Sequence, residues 1–463
     1  MKGASQLVAM LPWLAFGHLI PFLQLSISLA KAGFRISFLS TPKNIQRLPK
    51  LPQDLTSHIT FVELPLPRVD GLDQAAEATV DLPTLADDLL KKAYDLLLPH
   101  FHHFVARESP IFIVHDLVTH WTAEIARQFG VPRVLFSIYS AAPIAFVGLG
   151  ESLSVDQLRK HWPTPESLTS PPPWIPFRST VAFLPHEGEM MHGMFTTDAS
   201  GISLAQRVVS AVDGCEAMVL RSCAEYEGEY LDVLKKYPKP VIPIGLLQPE
   251  KCETDPTAGD WGSIFRWLDG KAPRSVVFVV FGSECKLRKN EVYEIAHGLE
   301  LSELDFLWAL RRPEWAMDDS EALPTGFEAR TKGRGIVHLG WAPQLEILAH
   351  QAIGGSMFHA GWGTIIETVQ YGHPLVVLPF ANVQGLDARL AVEKGLAVEV
   401  EREKDGKFHR EAITKALRWA VIEDEGEGLR LRSREMMAIF SDRGLHERYL
   451  SKFVEFLKGY RTK

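Results

Sequence analysis

Cysteine is scarce. The 463 residues carry four, Cys215, Cys223, Cys252 and Cys285, and no two of them form a C-x-x-C pair. This excludes a disulfide framework and fits a reducing, cytosolic compartment. Long apolar runs are also missing: no stretch of 18 or more apolar residues occurs, so no membrane-spanning helix is expected. The apolar run at residues 7–16 follows Lys2 and is trailed by Ala30-Lys31-Ala32, the outline of a secretory leader. Pro12, His18 and Pro21 interrupt it, and it reads better as a buried strand followed by a helix. An excess of positive charge is absent too. Forty-nine Lys and Arg stand against 57 Asp and Glu, a net charge of −8, so neither nucleic acid nor an anionic membrane is called for as a partner. Heptads, short repeats and low-complexity tracts are lacking. The three histidines of LLPHFHHF, His100, His102 and His103, have no cysteine or carboxylate beside them, so they mark a helix end or loop rather than a metal site.

What is present is ordinary globular composition, 46% hydrophobic and 23% charged, in a chain long enough for two or three domains. Short β-branched and aromatic runs alternate with helical stripes. In the first half, strands are expected at residues 7–11, 35–39, 111–114 and 133–137, with a loop holding Gly17-His18 and a helix from about residue 20 to 31. In the second half they are expected at 275–281, 306–310, 335–339, 354–358, 375–379 and 396–400. The stripe Val292, Ile295, Ala296, Leu299 marks one of the helices between them. Strand–helix–strand repetition implies parallel sheets, hence an α/β fold of two Rossmann-like, doubly wound domains facing a cleft. The expected division is 1–240, a linker at 241–259, 260–445, and a C-terminal helix at 446–463 packing back on the first domain. The proline-rich stretch 163–185 reads as an irregular surface segment.

The strand–loop–helix at residues 354–372 has the build of a phosphate cradle. Gly361 and Gly363 let the backbone approach a ligand. The helix start offers unpaired N–H groups and partial positive charge, and His359 can donate one more hydrogen bond. On spacing alone a plain N-cap is an equal reading, because residues 364–367 also match a capping box. His18 and Asp116 each follow a strand, at the carboxyl edge where active sites of parallel sheets form. A carboxylate beside an imidazole fixes its tautomer and stabilises the imidazolium, which is what a general base needs.

The segment 341–384 reads WAPQLEILAH, then GG, HAGWGT with Glu367, GHPLVVLPF and Gln384. In one register and without gaps it resembles the signature block of the plant UDP-dependent glycosyltransferases of family 1, which have the GT-B architecture. PWLAFGH, STPKNIQRLPKLP, WLDG and FGSE extend the likeness over essentially the whole chain. The opening and HERY look most like the glycoside-extending subgroup, such as soyasaponin rhamnosyltransferases and steviol-glycoside glucosyltransferases. The resemblance implies roles. Trp341 would stack on uracil. The Ala342 backbone and Gln344 would read the uracil edge. Glu367 would take both ribose hydroxyls. Ser283, His359, Gly361, Trp362, Gly363 and Thr364 would hold the diphosphate, and Val383 and Gln384 would face the donor sugar. His18 would be the base and Asp116 its partner. No D-x-D pair suited to a metal is present, so no metal or other cofactor is expected beyond the UDP-sugar co-substrate.

Departures from the family pattern are specific. Ala360 stands for a usual cysteine, Gly363 for an asparagine, and Ser356 and Phe358 for a phenylalanine and a threonine. The usual acid–glutamine pair is Val383-Gln384. A valine side chain accepts no hydrogen bond, so either the sugar is not glucose or it is held differently, and a deoxy sugar such as rhamnose becomes a candidate. The expectation is an inverting, metal-independent O-glycosyltransferase, a monomer, acting on a terpenoid or flavonoid glycoside. The alternatives are a UDP-sugar-binding protein that has lost transferase activity and an enzyme acting on a bare aglycone. Trp121, Tyr139, Phe146 and Met190 are candidate acceptor-pocket residues.

Overall fold

The computed structural model describes residues 6–83, 87–148, 154–249, 261–282 and 284–460. Two wholly parallel sheets organise it. The first contains β1 (Leu7–Leu11), β2 (Arg35–Ser40), β3 (Ile59–Glu63), β4 (Phe112–His115), β5 (Arg133–Ser137), β6 (Ala217–Leu220) and β7 (Val241–Pro243), in the order β3-β2-β1-β4-β5-β6-β7. The second contains β8 (Val276–Val280), β9 (Asp305–Leu310), β10 (Gly335–Leu339), β11 (Ile353–Phe358), β12 (Leu375–Val377) and β13 (Ala397–Glu399), in the order β10-β9-β8-β11-β12-β13. Most central strands are buried along their length, because crossover helices cover both faces of a parallel sheet. Strand order reverses between β1 and β4 in the first sheet and between β8 and β11 in the second. The crevice beyond such a reversal is where ligands bind in open α/β sheets.

Several elements differ from the sequence expectation. The first helix is Phe16–Lys31, so Gly17 and His18 lie in its first turn rather than in a loop. β3, β6 and β7 were not expected, and β7 occupies the start of the expected linker. The histidines of LLPHFHHF sit on the helix Leu98–Glu108, with His102 edge-on to Phe129. No group of three or more metal-ligating side chains occurs among the described residues. Nor is any described helix long and apolar enough to cross a membrane. The proline-rich stretch is not merely surface, since Leu168, Ile175, Val181 and Phe183 enter a large core cluster. The C-terminal helix, Arg443–Gly459, returns to the first domain. Its Phe453 and Leu457 join the core built around Val8, Phe22 and Phe112, and Lys458 Nζ donates to the Ala32 carbonyl at 3.1 Å.

Candidate active site

The first-domain side is built at the β1/β4 reversal. β4 ends at His115 and delivers Asp116. β1 runs through Trp13 into the first helix, whose opening turn carries His18. His18 Nδ1 lies 2.8 Å from Asp116 Oδ2. The Trp13 amide donates to the same oxygen at 3.1 Å, and the Leu117 amide donates to Oδ1 at 2.7 Å. The carboxylate is buried and held on three sides, and the imidazole is held through Nδ1, leaving Nε2 as the nitrogen outside this pair. Tyr139 packs edge-on to the His18 ring at 5.9 Å. Burial raises the Tyr139 hydroxyl above its ordinary value, and the Asp116 charge adds to this.

The second-domain side stands at the β8/β11 reversal. β11 delivers His359, and Ala360 then takes a left-handed φ of 61°. Gly361 caps the helix Trp362–Val369. Thr364 is therefore the third helical residue, and the capping-box alternative is not the one adopted. The first helical bond runs from Ile365 N–H to the Gly361 carbonyl at 3.0 Å, leaving the N–H groups of Trp362, Gly363 and Thr364 facing the loop. The His359 ring is wedged between two glycine backbones. A Cβ on Gly282 would come within 2.8 Å of it and one on Gly361 within 2.6 Å. Burial pushes His359 down to about 4, so it is neutral near pH 7, and its buried Nδ1 has no hydrogen-bond partner among the described residues.

Trp341 is 75% exposed, a large flat apolar surface open to solvent. Ala342 follows it, and its carbonyl accepts from the Gln344 amide N–H at 2.8 Å. Gln344 Nε2 donates to Glu367 Oε2 at 2.6 Å, joining two of the expected nucleotide readers. Burial raises the Glu367 carboxyl, opposed first by Arg221 and then by Gln344. The Trp362 side chain does not face the loop. Its indole N–H donates to the Arg221 carbonyl at 2.7 Å and its ring stacks on Tyr226, so only its backbone can serve a ligand there. Gln384 Oε1 accepts from the Phe380 and Ala381 amides at 2.9 and 3.0 Å, which leaves its amide nitrogen as a donor. Val383 packs partly against the core beside Asn382, which has φ 53°. Ser283 lies outside the described residues.

The two sides meet. Glu284, one residue past Ser283, is close enough to feel Thr79, the Phe16 backbone, His18 and Arg311. Burial raises its carboxyl, and its Oε1 is unpartnered among the described residues. Arg311 Nη2 donates to the Val80 carbonyl at 2.8 Å, and Ser140 Oγ donates to Asp387 Oδ1 at 2.6 Å, both across the cleft. A cavity of about 230 Å³ is lined by Asp88, Lys91, Met190, Met194 and Asp198 together with Asn382 of the second domain. Met190 thus lines a cavity, and Tyr139 flanks His18. Trp121 and Phe146 are core residues instead. Trp121 is 4% exposed, and Phe146 is fully buried and stacked on Trp162. Sequence reasoning gave no role to Arg221, Ser140 or Asp387, which no motif marks. FGSE did single out Glu284 as a landmark, without a role.

Two facing parallel sheets, each with its reversal point at a shared cleft, define the GT-B architecture of nucleotide-sugar glycosyltransferases. Known proteins agree with this class. The family model for UDP-glucoronosyl and UDP-glucosyl transferase matches residues 200–431. UDP-glycosyltransferase 91C1 of Arabidopsis thaliana is 42% identical over 454 residues, covering 98% of this chain and 96% of that protein. Soyasaponin III rhamnosyltransferase of Glycine max is 39% identical over 460 residues, with 98% and 96% covered. The structure of Glycyrrhiza uralensis UGT73P12 complexed with glycyrrhetinic acid 3-O-monoglucuronide superposes with a TM-score of 0.79 at 25% identity, covering 98% of this chain and 96% of that one. The chain belongs to this family and is a UDP-glycosyltransferase.

Proposed function

We propose that the enzyme transfers a sugar from a UDP-sugar to a hydroxyl of an existing sugar on a plant glycoside, with inversion and without a metal ion, as a monomer in the cytosol. The observation that carries the reading is the His18–Asp116 pair, 2.8 Å apart and within electrostatic reach of Glu284 from the opposite domain. The acceptor O–H bond breaks and its proton passes to His18 Nε2. The freed oxygen pair forms the bond to the anomeric carbon, while the bond from that carbon to the diphosphate breaks and its pair leaves with UDP. Asp116 stabilises the imidazolium. The N–H groups at the start of the helix Trp362–Val369, with His359 as neutral donor, stabilise the leaving diphosphate. Trp341 stacks on the uracil, Ala342 and Gln344 read its edge, and Glu367 takes the ribose hydroxyls.

The Gln384 amide nitrogen is the donor available to the sugar, and Val383 offers no acceptor beside it. This favours a sugar with fewer hydroxyls, rhamnose over glucose, and the name of the soybean relative points the same way. The test is UDP release from UDP-glucose and UDP-rhamnose across glycosides and their aglycones. Turnover with a glycoside is expected from wild type, and none from His18→Ala, which should still bind UDP. A fully active His18→Ala protein sinks the mechanism, and a preference for aglycones sinks the acceptor class.

A further inference from the structure

Arg221 stands at the carboxyl end of β6, where the first domain faces the second. It is 2% exposed, an expensive place for a guanidinium. Its Nε donates to the Leu246 carbonyl at 2.7 Å and its Nη2 to the Leu247 carbonyl at 3.1 Å. Those two bonds fasten β6 to the chain leaving β7, and a neutral amide could make them. The charge needs another reason.

Its third nitrogen supplies one. Nη1 points across the domain boundary to the helix Trp362–Val369, 3.5 Å from where a Cβ on Gly363 would stand, an ordinary van der Waals distance. The Arg221 carbonyl holds the same helix through Trp362 Nε1 at 2.7 Å. One helical turn beyond Gly363 is Glu367. Among the described residues Glu367 is the charge that acts on Arg221, and Arg221 is the cation that acts on Glu367. We propose that Arg221 is a positioning residue of the donor site, a buried cation lent by the first domain that fixes Glu367 for recognition of the ribose. Arg221 touches no part of the donor itself. It makes ribose recognition, assigned to Glu367 in the functional reading above, depend on the docking of the two domains.

The test compares binding of UDP with that of 2′,3′-dideoxy-UDP by calorimetry, in wild type, Arg221→Gln, Arg221→Lys and Glu367→Gln, alongside thermal unfolding. Hydroxyls bonded to a carboxylate should give wild type a preference for UDP of about tenfold or more. Arg221→Gln should cut that ratio to about threefold or less, as Glu367→Gln does, while Arg221→Lys keeps most of it. A merely structural role would weaken both nucleotides together and leave the ratio unchanged, which overturns the proposal, as do equal ratios in the Gln and Lys variants. If Arg221→Gln does not fold, Arg221→Met, which keeps the length of the side chain and removes its charge, takes its place. The same collapse is expected there, and an unchanged ratio overturns the proposal. A wild type with no preference, or a Glu367→Gln protein that retains one, defeats the ribose assignment itself and is thereby distinguished from a failure of Arg221 alone.

Discussion

Asp116 accepts from the Trp13 and Leu117 amides as well as holding His18, so its carboxylate is bonded on every side. Asparagine keeps the shape but replaces one acceptor with a donor, which turns the imidazole to the wrong tautomer. Asp116→Asn is expected to lower kcat by orders of magnitude, up to about 10⁴-fold, with UDP affinity unchanged by calorimetry. Trp341 presents the opposite case. Its ring is 75% exposed, so removing it sacrifices little packing. Stacking on a base contributes about 1–3 kcal/mol, so Trp341→Ala should weaken UDP binding roughly 5- to 150-fold with no change in Tm. At this scale the residue types of the site were legible, because several motifs agreed in one register. Their partners were not. That the Trp362 indole serves the Arg221 carbonyl, and that the Gln384 carbonyl is consumed by its own loop, depends on contacts no sequence spacing encodes.

The loop and helix after β11 work as one element. Gly361 has an ordinary φ of −66°, so its need for glycine is steric rather than conformational. An added Cβ would sit 2.6 Å from His359 Nε2. Gly361→Ala should push the imidazole off the diphosphate position, and a hydrogen bond to a charged group contributes about 1.5–3 kcal/mol. UDP affinity should therefore fall roughly ten- to hundredfold by calorimetry, with UMP and uridine affected less. An unchanged UDP affinity would show that His359 does not meet the diphosphate. The same element was readable in advance because a buried strand, two glycines and an amphipathic helix follow one another. Other elements were not. β6 is only four residues long. β7 is three residues at a sheet edge and carries Pro243, a signal that argued for linker. The first helix starts at Phe16 behind Ala15, which has no side chain to cap it, so nothing local announced that His18 was already helical.

The whole molecule depends on contacts that cross the cleft, and these were the least legible feature, since they join residues hundreds of positions apart. Ser140 and Asp387 are an instance. Asp387 is fully enclosed, and burial holds its carboxyl well above the usual carboxylate range; the Ser140 hydroxyl opposes this and the buried Glu227 adds to it. Glu227 is itself raised by burial, although Ser222 Oγ donates to it at 2.6 Å and the Ala142 amide at 2.9 Å. A carboxyl raised in the folded state keeps its proton where the unfolded chain has released it. Between about pH 4 and the folded-state value, stability therefore falls as pH rises, each unit of elevation corresponding to about 1.4 kcal/mol. Wild-type Tm should decline as pH rises above about 4. Asp387→Asn keeps an oxygen to accept from Ser140 and removes the titration, so its Tm should decline less steeply over that range and exceed wild type at the alkaline end. Thermal unfolding at half-unit pH steps checks this. Parallel curves for the two proteins would mean that Asp387 does not set the alkaline stability of the docked domains.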